Sequence, residues 1–308
     1  MRLFINELQE NWICNRIKSE FEKCHGIYRD DYLEKDAGES DTLWILFNWG
    51  WMEIPPYYLE SRKVILTVHH IDPHKLNISE FLIRDSYVDI YHVPNSKVIE
   101  SFPKEIDRNK IKVLPYWYDK DVWNSHDHIK NPDTEKTLYI GSFQRDTEGF
   151  DLSTPKFSKG PDLFCDVVEK LHQNYKKCEV ILAGHRRQYV IKRLEKAGIP
   201  YSYREMAHVD TMNNLYNAID LYLVTSRHEG GPQSILEAAA TKTPILSTDV
   251  GMADQVLHED CIIDFNVDSF VEAIKNQKHK SQIEYNFNKV SSFELLQLYP
   301  KYVELFKS

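Results

Sequence analysis

Short apolar runs alternate with polar stretches of helical period along the whole chain. In the first half, Leu3-Phe4-Ile5, Leu43 to Phe47, Val64 to Val68, Val88 to Val93 and Ile111 to Leu114 predict strands. The run from Leu43 to Phe47 is apolar throughout, as in a strand buried on both faces. Trp12 to Lys23 predicts a helix, because Ile13, Ile17 and Phe21 recur at helical spacing. In the second half, strands are expected at Thr137 to Gly141, Glu179 to Gly184, Leu221 to Val224 and Pro244 to Thr248. Helices are expected at Asp162 to Tyr175, Tyr189 to Ala197 (stopped by Gly198), Met212 to Ile219 and Ser234 to Thr241.

Strand and helix alternate with short connections, which is the pattern of parallel sheets covered by helices. The length of 308 residues suggests two such domains with a cleft between them. The polar stretch from Asp119 to Lys136 reads as a linker, dividing the chain into residues 1–130 and 131–289. The tail from Val267 reads as two or three helices. The last of them, within 290–308, is amphipathic and is expected to pack back on the first domain.

Composition narrows the class. At 42% hydrophobic, 28% charged and 12% aromatic residues the chain is an ordinary globular protein, not a disordered one. Its 38 Lys+Arg against 47 Asp+Glu, a net charge of −9, argues against a nucleic-acid binder. No run approaches the length of a membrane helix, and the N-terminus lacks a leader pattern, so a cytoplasmic protein with at most a peripheral membrane contact is expected. Five scattered cysteines with no Cys-x-x-Cys pair fit reduced structural thiols. His126-Asp127-His128 reads as solvated linker rather than metal site.

Ligands of open α/β sheets bind beyond the carboxyl ends of the strands. The richest such segment follows Leu221 to Val224 and runs Thr225-Ser226-Arg227-His228-Glu229-Gly230-Gly231-Pro232-Gln233-Ser234-Ile235-Leu236-Glu237. The two glycines let a backbone approach a ligand closely, and Pro232 suits a helix start. The amides of Gln233, Ser234 and Ile235 would then offer an anion site. Glu229 precedes this helix and Glu237 lies within it, so both carboxylates can face a ligand and accept hydrogen bonds from vicinal hydroxyls. A glutamate in a first helical turn also serves simply as a dipole partner.

This segment resembles the Glu-x7-Glu region of the retaining GT-B glycosyltransferases of family 4. The likeness continues through Pro244 to Gly251. Upstream it takes in Tyr139-Ile140-Gly141, Ser158-Lys159-Gly160-Pro161-Asp162-Leu163 and Val180 to Gly184, in family order. More loosely, Val113 to Asp119 resembles the interdomain segment, and Thr67-Val68-His69-His70 the strand ending in a histidine that faces the donor. Glu10-Asn11-Trp12 stands where that family commonly has a glycine-rich loop.

The resemblance implies a GT-B fold of two Rossmann-like domains whose parallel sheets face a central cleft. It implies that Glu237 holds the ribose of a nucleotide-sugar and that Glu229 contacts the donor sugar. Gly141, Gly230, Gly231 and the amides of Gln233 and Ser234 would line sugar and diphosphate. Lys159 would neutralise the leaving group. The family's arginine after the Gly141 strand is replaced by Ser142, with Arg145 the nearest substitute. His69 and His70 end a strand, so one of them faces the cleft; the resemblance favours His69. The implied reaction moves a sugar to an acceptor hydroxyl with retention, the leaving phosphate taking the acceptor proton. Lysine, arginine and a helix N-terminus stabilise the leaving charge, so neither metal nor cofactor is expected. A surface glycan or glycolipid pathway, as in polysaccharide biosynthesis, is implied by the family alone. Trp49 and Trp51 suit either packing or stacking on a glycan or lipid-linked acceptor. Two other readings keep the fold: a non-catalytic binder of nucleotide-sugar or glycan, and a nucleotide-sugar epimerase, which would need a carboxylate pair in the first domain.

Overall fold

The computed structural model describes residues 1–6, 13–28, 32–34, 37–126, 136–149 and 152–308. Trp12, the Glu10-Asn11-Trp12 segment, Asp127, His128 and the expected boundary at residue 130 lie outside them. Contacts divide the chain into two units, Met1–Trp117 with Phe293–Ser308, and Tyr118–Ser292.

The first unit is a six-stranded parallel sheet. Its strands are β1 (Arg2–Asn6), β2 (Tyr32–Glu34), β3 (Thr42–Ile45), β4 (Lys63–Thr67), β5 (Ile90–Val93) and β6 (Ile111–Val113), in the order β2-β1-β3-β4-β5-β6. The strands β3 and β5 are buried along their whole length, β3 as its largely apolar run demands and β5 with His92 inside it. The Leu295–Lys307 helix belongs to this unit. Tyr299 and Phe306 pack on Phe21, and Tyr302 meets Trp44 and Trp117 at ring distances of 5.6 and 4.8 Å.

The second unit holds a five-stranded parallel sheet and a small hairpin. In chain order the strands are β7 (Thr137–Ser142), β8 (Thr147–Glu148), β9 (Thr154–Pro155), β10 (Lys177–Ala183), β11 (Tyr201–Arg204), β12 (Leu221–Val224) and β13 (Ile245–Ser247). The sheet runs β11-β10-β7-β12-β13, and β8 pairs antiparallel with β9. This order reverses direction between β7 and β12, the switch point at which doubly wound sheets bind ligands. The unit begins ahead of the polar stretch. Asn124 and His126 donate their amides to Asn213 and Asn217 of the Val209–Ala218 helix, at 3.2 and 2.6 Å. Trp123 is buried against Tyr216 of the same helix. No helix among the described residues is long and apolar enough to cross a membrane.

Candidate functional site

Two loops meet at the switch point. One leaves β12 as Thr225–Glu229; the other is the 3₁₀ turn Phe157–Lys159 ahead of the Pro161–Asn174 helix. Their backbones are tied together. The amides of Arg227 and His228 both donate to the Ser158 carbonyl, at 2.8 and 3.1 Å. The Thr225 hydroxyl donates to the Gly160 carbonyl at 2.8 Å. Gly160 has φ +60°, and a Cβ there would overlap the Thr225 carbonyl, so only glycine permits this approach. Arg227 then clamps both oxygens of Asp162 at 2.8 and 2.6 Å. That ion pair holds the Asp162 carboxyl below the usual carboxylate range despite its partial burial.

The tie delivers Lys159 to Glu229. The ammonium contacts Oε1 of the carboxylate, with the two side chains 19% and 7% exposed. The Ser226 hydroxyl stands 3.2 Å from the same oxygen and 3.3 Å from the Gln144 amide oxygen, while the Gln144 amide nitrogen donates to the Lys159 carbonyl at 2.9 Å. Acid, ammonium, hydroxyl and amide thus form one polar group fed by three separate loops. Gln144 and Ser226 carry no signal in the sequence beyond following strands.

The Glu229 loop leads into the Gln233–Ala240 helix. Its N-cap is Pro232, and no side chain caps it. Gly230 is buried and Gly231 half-buried. The turn after β13 supports this loop. Gly251, at φ +55°, brings its backbone so close that a Cβ would stand 2.6 Å from Pro232 and 3.0 Å from the Gly230 carbonyl. Gln233 and Glu237 are buried and Ser234 is half-buried. The Tyr216 phenol donates to Glu237 Oε2 at 2.8 Å. Burial and that carboxylate push the Tyr216 phenol well up, so it remains a donor.

Other predicted residues fall around this group. The Arg145 Nε donates to the Thr147 carbonyl at 2.8 Å, at the mouth of the hairpin. Ser142 is buried away from it, its hydroxyl accepting from Arg187 at 2.9 Å. Gly141 packs beneath Ile219 and the Tyr222 ring inside the sheet layer. The strand-end position of Ser142 and Gly141 thus serves the core. His69 belongs to the first unit. Its Nε2 lies 2.6 Å from the Leu46 carbonyl and its Nδ1 contacts the Tyr116 hydroxyl. Trp51 stacks on Tyr87 at 5.8 Å, whereas Trp49 is half exposed at 49% beside Phe47. The chain holds one Asp-x-Asp spacing, Asp119-Lys120-Asp121. Asp119 is buried and its Oδ1 accepts from the Asp121 amide at 3.0 Å, a turn-capping role.

The family described as glycosyl transferases group 1 matches residues 151–277, the stretch that carries Lys159, Glu229 and Glu237. Solved structures match far more of the chain. A glycosyltransferase from Rickettsia africae is 15% identical, with a TM-score of 0.75 over 99% of this chain and 97% of its own. Anabaena Alr3699/HepE, solved with UDP and glucose, is 12% identical, with a TM-score of 0.72 over 99% of each chain. The fold is GT-B. The pneumococcal O-GlcNAc transferase GtfA, solved with UDP and GlcNAc, is 14% identical, with a TM-score of 0.62 over 86% of this chain and 56% of its own. No curated protein sequence matches.

Proposed function

We propose that this GT-B protein is a retaining glycosyltransferase that moves a sugar from a nucleoside-diphosphate donor to an acceptor hydroxyl. One observation carries the reading: the Gly160–Thr225 tie presses Lys159 against Glu229 immediately ahead of a helix N-terminus with no side-chain cap. A cation and a helix N-terminus together suit a departing diphosphate, and the carboxylate between them suits sugar hydroxyls. Glu237, with Oε2 held by Tyr216, accepts from the ribose hydroxyls. The amides around Gly230, Gly231, Gln233 and Ser234 line the diphosphate, and Arg145 adds positive charge. His69 is proposed as a reaction residue on the resemblance. These groups supply the leaving-group charge from the chain itself, so turnover is expected to persist in EDTA. The acceptor is proposed to be a glycan or lipid-linked glycan of a surface polysaccharide pathway.

Nucleotide binding tests the reading. UDP is the first probe, since two similar structures were solved with it; GDP, ADP, TDP and CMP complete the panel. At about a hundredfold over Kd, a true ligand adds roughly 2.7 kcal/mol of stability, visible as a rise in Tm. One nucleotide is expected to give that rise, and Glu237→Ala to abolish it. No rise with any nucleotide would sink the donor-site assignment. Product stereochemistry, read from the anomeric proton by NMR, decides retention.

A further inference from the structure

A lysine that the sequence pattern passes over lies in the same group. Lys156 directly follows β9, and its amide donates to the Asp146 carbonyl at 2.8 Å. The hairpin therefore returns Lys156 to the level of Asp146, next to Arg145 in the chain. That level is fixed. Asp146 accepts from the buried Arg187 at 3.0 Å and from the Tyr189 amide at 3.2 Å. Arg187 in turn donates to the Ser142 and Ala183 carbonyls at 2.8 and 3.2 Å, the ends of β7 and β10. The Lys159 amide donates to the Lys156 carbonyl at 2.9 Å across a 3₁₀ turn. That bond holds the two lysines one turn apart along the backbone, and Lys159 reaches Glu229.

The charged groups acting on Lys156 are Lys159 and Arg145, opposed by Glu229 and Glu148. Three cations and two carboxylates are gathered there, with the cations in excess. Burial first, then Lys159 and Arg145, bring the Lys156 ammonium down to about 8. An anion with several phosphate oxygens offsets this repulsion.

We propose that Lys156 is a third cation for the donor diphosphate, beside Arg145 and Lys159. The inference rests on the donor-site reading above and adds to it a residue outside the Glu-x7-Glu and Lys-Gly patterns. Its ammonium presents three donors to phosphate oxygens, as charge-assisted bonds. Diphosphate restores the charge on Lys156 that the unliganded site suppresses. Binding near pH 8 therefore draws a proton from solvent onto Nζ, and affinity falls as pH rises from 7 to 9.

Calorimetric titration with the nucleoside diphosphate that raises Tm, in two buffers of different ionisation heat at pH 8, measures that proton directly. Wild type is expected to take up about half a proton per diphosphate bound. Lys156→Arg keeps the charge at every pH and is expected to bind within threefold of wild type with no uptake. Lys156→Gln is expected to bind about tenfold more weakly, also without uptake. Wild-type affinity and uptake in Lys156→Gln, or uptake persisting in Lys156→Arg, would overturn the proposal. Wild type that binds no nucleoside diphosphate overturns the donor-site reading itself, and this inference falls with it.

Discussion

Tyr216 makes Glu237 a carboxylate with one oxygen committed. The bond is 2.8 Å and buried, and the phenol sits in a ring cluster with Phe143 at 4.8 Å, Tyr222 at 5.2 Å and Trp123 at 5.7 Å. Tyr216→Phe keeps those rings and removes only the hydroxyl. The carboxylate then turns more freely, and ribose binding must bear the cost of fixing it. The donor KM is expected to rise about fivefold to tenfold, the roughly 1 kcal/mol of one ordinary hydrogen bond. Because Glu237 lies away from the bond that breaks in the proposed reaction, kcat is expected to stay within about twofold. Steady-state kinetics separates the two, and a fall in kcat with KM unchanged would contradict the ribose assignment. At this scale the sequence was partly legible. Glu229 and Glu237 announce themselves by spacing, and Lys159 by its neighbour Gly160. Ser226, Gln144 and Lys156 do not, because their chemistry comes from loops about seventy residues apart meeting in space, as Lys159 and Glu229 do. Ser142 and Gly141 enter the donor site only through the resemblance; the Ser142 hydroxyl is held by the buried Arg187, and Gly141 packs against Ile219 and Tyr222.

The joint between the Phe157–Lys159 turn and the Thr225–Glu229 loop is the element on which the site depends. Its weak point is Gly160, where two costs coincide: positive φ and direct overlap with a backbone carbonyl. Gly198 separates them, since it has φ +68° at the end of the Gln188–Ala197 helix and a Cβ there meets nothing. Gly198→Ala is expected to cost about 1 kcal/mol, the conformational term alone. Gly160→Ala must also part the two loops. It is expected to cost more than about 2 kcal/mol, since strain and lost hydrogen bonds add. It should also lower turnover at least tenfold by displacing Lys159 from Glu229. Thermal denaturation and turnover of the two variants check this; equal losses would mean the joint is not under that constraint. Among elements, the strands buried on both faces were readable as unbroken apolar runs, β3, β4 and β12 among them. The edge strand β11, Tyr201–Arg204, was missed because its half-exposed side chains alternate with no apolar run. Strand β2 is a three-residue edge, and β8 and β9 have two residues each, too short for any period to show.

Each of the two units encloses a buried histidine, and the two are not equivalent. In the first unit, Trp44 donates to the Thr67 hydroxyl at 2.9 Å, which leaves that hydroxyl to donate to His92 Nδ1 at 3.0 Å. His92 Nε2 then carries the proton and donates to the Leu114 carbonyl at 2.8 Å. The neutral ring is fully satisfied. In the second unit, His279 is buried with neither ring nitrogen bonded to a described residue. Burial lowers both to about 4 from an ordinary 6.5. The folded state therefore binds fewer protons than the unfolded chain between those values, so stability is full above about 6.5 and is lost as pH falls toward 4. The slope is about 1.4 kcal/mol per pH unit for each histidine. His279→Leu removes an unpartnered polar ring from a buried place. It is expected to raise stability at pH 7 by about 1–2 kcal/mol, the cost of an unsatisfied buried group, and to remove that unit's share of the acid slope. His92→Leu is expected to destabilise at pH 7, because Thr67 and the Leu114 carbonyl both lose their partner inside the first unit's core. Calorimetric melting at pH 7 and pH 5 on the two variants tests both signs. A stabilised His92→Leu, or a wild-type Tm that stays flat between pH 6.5 and 4.5, would show that these buried rings do not set the acid limit of the fold.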